Sequence, residues 1–376
     1  MKYYIIAGEA SGDLHASNLM KQIKLQDEGA DFRVWGGDLM KAEGAQLVKH
    51  YKDLAFMGFV EVLLNLRTIL SNLKICKQDI QEYQPDVLVL VDYPGFNLRI
   101  AEWAHEEGLN VHYYISPQIW AWKENRVHKF KKFVDEMYVI LPFEKGFYAK
   151  HNVDVNFVGH PLLDAIEDYN AEKPAFETFC ATHQLSNKPI VALLPGSRKQ
   201  EISTMLPIML STTSAYPEYQ FVIAGAPSQD PSFYDPFLTK SNVKIIFGQT
   251  YELLQQSTAA LVTSGTATLE TALFNVPEVV CYKGNWVSYW IARSLVKVNY
   301  ISLVNLIMDQ EVVKELIQGE LNPQNLKKEL DAILPNGEKR EKLLANLRLL
   351  REKLGGSGAS KNVATLMLKT LRSTKK

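Results

Sequence analysis

Short runs of apolar residues alternate with stretches of mixed, helix-like sequence along the whole chain. The runs are continuous in Val, Ile and Leu, which is typical of strands that are covered on both faces. Because helix-like segments separate them, the pattern predicts βαβ units and parallel sheets. The predicted strands are residues 3–7, 32–35, 86–92, 110–115, 136–141, 190–194, 220–224, 243–247, 259–263 and 276–282.

The pattern divides the chain into two halves. Between residues 164 and 188 it becomes polar and contains proline, which is typical of a domain linker. We therefore predict two doubly wound, Rossmann-like α/β domains, at 1–168 and 186–355. A glycine-rich break at 355–358 precedes a last helix, at about 360–372, that is placed to return to the first domain. Two such domains that face a central cleft would present the carboxyl ends of their strands to a ligand.

Composition narrows the class of protein. The chain has 376 residues, enough for two domains, and its net charge of −1 gives no global basic field for nucleic acid. The three cysteines, Cys76, Cys180 and Cys281, fit neither a zinc site nor a disulfide framework. The first residues enter a strand at once, so no signal peptide is predicted, and no apolar run approaches the length of a spanning helix. A cytoplasmic protein is expected.

The most informative segment is Pro195-Gly196-Ser197-Arg198, which follows a predicted strand and precedes helix-like sequence. A glycine turn between a strand and a helix directs backbone N–H groups at an anion, and arginine adds a planar fork for phosphate oxygens. No Walker lysine pattern accompanies it. The segment is therefore predicted to hold phosphate without the NTPase machinery.

A second hydroxyl-rich segment, 264–270, follows the strand predicted at 259–263. Ser264, Gly265 and Thr266 at a helix start suit phosphate oxygens. Glu270 lies one turn further on the same helical face and suits the two hydroxyls of a ribose. An ordinary helix cap is the alternative, but with residues 195–198 in the same domain we favour a nucleotide diphosphate site.

Carboxylates follow two strands of the first half. Glu9, Ser11 and Asp13 lie in a glycine turn after the first strand, and the alternative for this turn is that Asp13 caps the next helix. Asp92 ends a very apolar strand, where burial raises a carboxyl pKa and suits a general base. A turn aspartate before Pro94 is the alternative for Asp92.

Two surface candidates remain. Trp120 and Trp122 are predicted to pack against a sugar or acyl group, and the alternative is that they pack in the core. The basic run from Lys123 to Lys132 is predicted to meet anionic lipid headgroups, and the alternative is a solvated helix face. Residues 53–70 are too short and polar to span a bilayer, yet more apolar than one buried helix face needs. The candidate membrane or acyl-chain residues are Phe56, Phe59, Val62, Leu63 and Leu66. A core helix is the alternative.

In order, the segments resemble the bacterial lipid-A-disaccharide synthase family, whose members are GT-B glycosyltransferases. The matching stretches cover nearly the whole chain: 8–13, 36–40, 57–63, 92–97, 116–122, 142–144, 159–161, 193–198, 264–270 and 301–318. The chain departs from the family pattern at three positions. Gly95 stands where aspartate is frequent, and Val304 and Lys314 stand where proline is frequent.

The resemblance implies an inverting transfer of 2,3-diacylglucosamine from its UDP conjugate to 2,3-diacylglucosamine 1-phosphate, which gives the β-1',6 disaccharide of lipid A and UDP. It implies a peripheral protein at the inner face of the inner membrane, and it is compatible with a homodimer. Asp92, Glu9 and Ser11 match its catalytic region; Gly196, Ser197, Arg198, Ser264, Gly265, Thr266, Glu270, Asn305 and Gln318 match its nucleotide site.

No cofactor and no metal are expected, because the chain shows no paired-carboxylate metal motif. Two alternatives stay open. One is a UDP-N-acetylglucosamine 2-epimerase-like enzyme, which shares the fold. The other is a non-catalytic sugar-nucleotide or lipid-binding protein.

Overall fold

A computed structural model describes residues 1–54, 66–170, 174–239, 243–284 and 298–374. The chain forms two compact units. Unit 1 comprises Met1–Asp164 and Leu354–Lys376, and unit 2 comprises Ala165–Lys353. The first unit therefore ends at Asp164, four residues before the predicted boundary at 168. The predicted linker at 164–188 includes helical residues that belong to unit 2.

Unit 1 contains a seven-stranded sheet in the order β3-β2-β1-β4-β5-β6-β7, and every neighbouring pair is parallel. Its elements are β1 Lys2–Ala7, α1 Ala10–Lys24, β2 Asp31–Gly36, α2 Asp38–Ala42, β3 Gln46–His50, α3 Leu66–Tyr83, β4 Val87–Val91, α4 Pro94–Glu106, β5 Val111–Tyr114, α5 Ile119–Trp122, α6 Val127–Phe133, β6 Glu136–Val139, α7 Pro142–Ala149, β7 Asn156–Phe157 and the first residues of α8 Pro161–Asn170.

Unit 2 contains a six-stranded parallel sheet in the order β10-β9-β8-β11-β12-β13. Its elements are the rest of α8, α9 Phe176–Thr182, β8 Ile190–Leu194, α10 Lys199–Leu210, β9 Gln220–Gly225, α11 Asp235–Leu238, β10 Lys244–Phe247, α12 Thr250–Gln255, β11 Ser257–Thr263, α13 Thr266–Leu273, β12 Glu278–Tyr282, α14 Leu303–Met308, β13 Lys314–Ile317, α15 Pro323–Ile333 and α16 Arg340–Lys353. Short 3₁₀ turns lie at Tyr51–Asp53, Glu124–Arg126, Thr213–Ala215, Pro231–Tyr234 and Gln318–Glu320.

The predicted class, two doubly wound α/β units, is confirmed. The central strands β4 and β8 are buried at every position, which is why they read as unbroken apolar runs. The pattern missed β3, β7 and β13, and all three are edge strands. An edge strand is partly exposed, and β3 is buried at none of its positions, so its sequence carries polar residues and loses the signal.

The last helix, α17 Ala359–Thr374, belongs to unit 1 and packs on α1. Its N-terminus is capped by the Asp164 carboxylate, which accepts from the backbone N–H groups of Gly358 and Ser360. Near its other end, Arg372 donates to the Gln26 carbonyl at 3.0 Å. No helix within the described ranges is long and apolar enough to cross a membrane.

Candidate active site

Each sheet has one topological switch point, where the strand order reverses. In unit 1 it lies between β1 and β4, and in unit 2 between β8 and β11. Open parallel sheets bind ligands at the carboxyl ends of the two strands that flank such a point. The loops that follow these four strands begin at Gly8, Asp92, Pro195 and Ser264. The polar segments singled out in the sequence therefore fall at the two positions where this topology places a ligand.

Asp92 lies at the unit 1 switch point, directly after β4, and is half-buried. Burial is the main cause that raises its carboxyl pKa from 3.8 to about 6, and the nearby charge of Glu9 raises it further. An aspartate with this pKa is ionised at neutral pH but holds a proton more firmly than an exposed one. Asp92 is therefore suited to accept a proton from a sugar hydroxyl near pH 7.

Glu9 and Ser11 lie beside the same switch point and are both exposed. The predicted loop is shorter than expected, because α1 begins at Ala10 and includes Ser11. Gly8 is required by a close approach, since a Cβ there would lie 2.3 Å from Cγ of the Tyr93 ring. The structure thus brings Glu9 near Asp92, while Ser11 sits in the first helical turn.

Asp13 has a structural role. Its buried carboxylate accepts from the backbone N–H groups of Gly37 at 2.8 Å, Leu39 at 3.1 Å and Met40 at 3.2 Å. It therefore caps the N-terminus of α2, a helix that begins 25 residues further along the chain. Capping, the alternative for this residue, is thus correct in kind, but the helix that Asp13 caps is α2 and not α1, the next helix, which contains Asp13 itself.

The loop at 195–198 has the backbone geometry that the sequence suggests, with Gly196 at φ +106°. Its anion-binding groups already have a partner in the chain, the Glu201 side chain. One oxygen of Glu201 accepts from the N–H groups of Ser197 and Arg198, each at 3.3 Å, and the other lies 2.8 Å from Nη1 of Arg198. A carboxylate thus stands where the sequence predicts phosphate oxygens.

The segment 264–270 begins α13. Gly265 and Thr266 are exposed at the start of this helix, and the Ser264 hydroxyl donates to the Ile301 carbonyl at 3.1 Å. Glu270 is half-buried and accepts from the Tyr251 hydroxyl at 2.9 Å; burial raises its carboxyl pKa. The strand pairing of β8 with β11 places this helix start beside the loop at 195–198, as a shared diphosphate site requires.

Asn305 and Gln318, the remaining predicted nucleotide residues, differ sharply. The buried Asn305 amide donates to the Val313 carbonyl and to Glu315, and accepts from the N–H groups of Val312 and Val313. These contacts use both the Nδ2 and the Oδ1 atom, so the Asn305 side chain holds the backbone at Val312 and Val313 in place. Gln318 is also buried, yet neither of its amide atoms has a hydrogen-bond partner among the described residues. Gln318 is the one of the two with an amide left open to a ligand.

The two tryptophans differ in exposure. Trp120 is buried and packs edge-on against Phe143, whereas Trp122 is 51% exposed, with Nζ of Lys123 at 4.0 Å from its ring centre. The later part of the basic run, from His128 to Lys132, forms the exposed face of α6, which buries Val127, Phe130 and Phe133 on its other side. Lys123 and Arg126 precede this helix and are half-buried. Phe56, Phe59, Val62 and Leu63 lie outside the described residues, as does the side chain of Leu66. The membrane role of that segment stays a prediction.

The departures from the family pattern are accommodated. Gly95 is exposed at the start of α4, and a Cβ there would meet nothing within 4 Å. Val304 is fully buried, and Lys314 pairs with Glu311 at 3.3 Å on the edge strand β13. Within the described ranges, no group of three His, Cys, Asp or Glu side chains could hold a metal ion.

Solved structures share this architecture. A UDP-GlcNAc 2-epimerase from Neisseria meningitidis superposes with a TM-score of 0.69 at 14% identity, over 98% of this chain and all of that one. The calicheamicin glycosyltransferase CalG4 gives a TM-score of 0.62 at 15% identity, over 100% of this chain and 99% of that one. At such identities the likeness concerns the fold alone, and it defines the GT-B class.

Sequence comparison is more specific. The family model described as lipid-A-disaccharide synthetase matches residues 3–367. The lipid-A-disaccharide synthase of Syntrophus aciditrophicus is 40% identical over 98% of this chain and 97% of its own length. The lipid-A-disaccharide synthase of Geobacter metallireducens is 38% identical over 98% of this chain and 96% of its own length. The chain belongs to the lipid-A-disaccharide synthase family of glycosyltransferases.

Proposed function

We propose that the chain transfers 2,3-diacylglucosamine from its UDP conjugate to 2,3-diacylglucosamine 1-phosphate. The products are the β-1',6 disaccharide and UDP. Family membership supports the reaction class, and the observation that supports a catalytic role for this particular chain is Asp92, an aspartate at a switch point with a carboxyl pKa of about 6. A non-catalytic binding protein has no need of such a group.

Asp92 takes the proton of the acceptor 6-hydroxyl in the proposed mechanism. The oxygen then forms a bond to the anomeric carbon of the donor sugar while the bond from that carbon to the UDP oxygen breaks, so the configuration inverts. General-base assistance of this kind contributes roughly 10²- to 10⁴-fold to a rate. Replacement of Asp92 by Asn should therefore reduce kcat by at least 100-fold, and turnover within a fewfold of wild type would exclude Asp92 as the base.

UDP is proposed to bind unit 2, with its diphosphate against the loop at 195–198 and the start of α13, its ribose near Glu270 and Gln318 beside it. Arg198 and the loop N–H groups would stabilise the negative charge that develops on the leaving diphosphate, in place of a metal ion. Arg198→Ala should weaken UDP binding at least tenfold by titration calorimetry. Unchanged affinity would contradict the diphosphate contact.

One assay separates the candidate functions. The purified chain is supplied with UDP-diacylglucosamine and diacylglucosamine 1-phosphate, and UDP and a disaccharide are measured, with and without a chelator. Formation of both products supports the proposal, and loss of activity in the chelator would contradict the metal-free mechanism. Turnover of UDP-N-acetylglucosamine alone would favour an epimerase, and binding without turnover a non-catalytic protein.

Peripheral binding to the inner face of the inner membrane is also proposed. The support is the apolar segment 53–70, the exposed Trp122 and the basic face of α6. Sedimentation with vesicles that contain anionic phospholipid tests it, using wild type and a variant with aspartate at Phe59 and Leu63. Equal sedimentation of the folded variant would contradict the role of that segment.

A further inference from the structure

The backbone at the end of β4 adopts an unusual conformation. Asp92 has φ +44° and Tyr93 has φ +48°, so two consecutive residues that are not glycine lie in the left-handed region. Side chains with a Cβ disfavour this region, and two in succession persist only where the surroundings hold them. The strained pair includes the proposed general base.

Two buried side chains hold the carbonyl group of Asp92. Nδ2 of Asn97 donates to this oxygen at 2.8 Å, and the Tyr113 hydroxyl makes a short hydrogen bond to the same atom. Nδ2 of Asn97 also lies 3.2 Å from the Val91 carbonyl oxygen. The peptide plane that follows the Cα of Asp92 is thus fixed from two directions.

Tyr93, the second residue of the pair, is fixed through its side chain. Its ring lies over Gly8, where no Cβ fits, and its hydroxyl donates to the Leu54 carbonyl at 3.1 Å. The N–H group of Asp92 donates to the Tyr114 carbonyl at 3.1 Å. The backbone on both sides of the Asp92 Cα is therefore constrained, which sets the direction of its carboxylate.

The contacts of Asn97 are not those that stability alone would select. Asn97 is fully buried, and its Oδ1 atom has no hydrogen-bond partner in the described part of the chain. A buried acceptor without a hydrogen bond lowers the stability of the folded protein, so Asn97 is not at this position for stability alone. Its amide group serves carbonyl groups at the end of β4 instead.

We propose that Asn97 and Tyr113 are positioning residues for the glycosyl transfer, because they hold Asp92 in the left-handed conformation that aims its carboxylate at the acceptor. The inference rests on the proposed role of Asp92 as the base. Without the two donors, residue 92 relaxes towards an ordinary backbone conformation and the carboxylate is displaced. A displacement near 1 Å at a reacting group lowers rates by roughly 100-fold.

Tyr113→Phe is the test variant, because it deletes one hydroxyl and keeps the buried ring. Tyr138→Phe is its matched control: Tyr138 is also fully buried, lies on the neighbouring strand β6, and its hydroxyl contacts Nδ1 of His112 at 3.1 Å. We expect Tyr113→Phe to lower kcat roughly 10- to 100-fold with KM for both substrates within twofold. Its acidic limb in the pH profile of kcat/KM should also move. Tyr138→Phe should keep the wild-type kcat and profile.

Asn97→Ala is the second variant, and all rates are measured well below each variant's Tm. Wild-type kcat in either folded variant would overturn the positioning role, and so would an equal loss in Tyr138→Phe. A loss that merely follows the fraction of unfolded protein would overturn it as well. Asp92→Asn separates the proposed mechanism from the positioning role. If that variant is inactive while Tyr113→Phe has wild-type activity, Asp92 remains the proposed base and the positioning role is contradicted. If Asp92→Asn remains active, the proposed mechanism itself fails.

Discussion

Glu201→Gln is expected to tighten the binding of UDP. In the free protein the Glu201 carboxylate occupies the N–H groups of Ser197 and Arg198 and pairs with the Arg198 guanidinium. A diphosphate that takes these donors must displace it. Glutamine keeps the length and shape of the side chain but removes the charge that competes with the diphosphate.

The magnitude follows from the exposure and the distances. The ion pair is formed by residues i and i+3, with the side chains of Arg198 and Glu201 65% and 32% exposed, and such pairs contribute about 0.3–0.5 kcal/mol. The two N–H contacts at 3.3 Å are long for charge-assisted hydrogen bonds, which are usually 2.7–2.9 Å, so they add a similar small amount. A total of about 0.6–1 kcal/mol corresponds to a Kd for UDP lower by about 3- to 5-fold.

Titration calorimetry with UDP at low and high salt measures the effect. The gain should shrink at high salt, because exposed charges are screened. Glu311→Gln is the control, since it removes the same charge from another exposed ion pair between residues i and i+3 in unit 2. Weaker binding by Glu201→Gln would refute the reasoning, because it would mean that Glu201 holds Arg198 ready for the diphosphate instead of competing with it.

Three further predictions concern unit 1. Because the Asp92 pKa of about 6 is raised by burial and by Glu9, kcat/KM should rise with pH through about 6, and Glu9→Gln should move that limb to lower pH; an unmoved limb would contradict the coupling. The raised pKa of Asp92 destabilises the folded state by an amount that begins to grow above pH 3.8 and is complete above about pH 6. Asp92→Asn removes this cost, so it should increase the free energy of unfolding, measured by urea denaturation, by up to about 3 kcal/mol at pH 8 and hardly at all below pH 4. Asp13→Ala leaves the N–H groups of Gly37, Leu39 and Met40 at the N-terminus of α2 without their acceptor, so it should lower the free energy of unfolding by about 2–3 kcal/mol in the same urea denaturation. Asp38→Ala, at an exposed side chain, should lower it by under about 1 kcal/mol, and equal losses would contradict the capping role.

The sequence predicted the interior of both sheets, because a strand buried on two faces must be apolar throughout. It also predicted that Asp92 and Pro195 directly follow such strands, at the carboxyl ends where parallel sheets bind ligands. That these loops bind ligand stays a prediction. The edge strands β3, β7 and β13 were missed because partial exposure lets polar residues into them, whereas the edge strand β10 was predicted. The order of the strands, and hence the two switch points, comes from the structure.

The contacts of individual side chains could not be predicted in the same way. Glu201 carries a visible signal, a glutamate three residues after Arg198 at a helix start, but that spacing is common in capping boxes and does not show that the carboxylate fills an anion site. Tyr113 lies inside a strand and looks like any core aromatic; only the fold shows that its hydroxyl reaches Asp92. Asn305 carried the polar identity of a ligand-binding residue, and only its contacts show an amide already used by the protein.

The helix that completes unit 1 is separated from the rest of that unit by all of unit 2. During translation, residues 165–353 leave the ribosome before α17, so unit 2 has its full sequence while α1 still lacks the helix that covers it. A premature stop after residue 353 would therefore harm the unit at the other end of the chain. Unit 1 thus stays incomplete until α17 has been synthesised and its N-terminal N–H groups meet the Asp164 carboxylate that caps them.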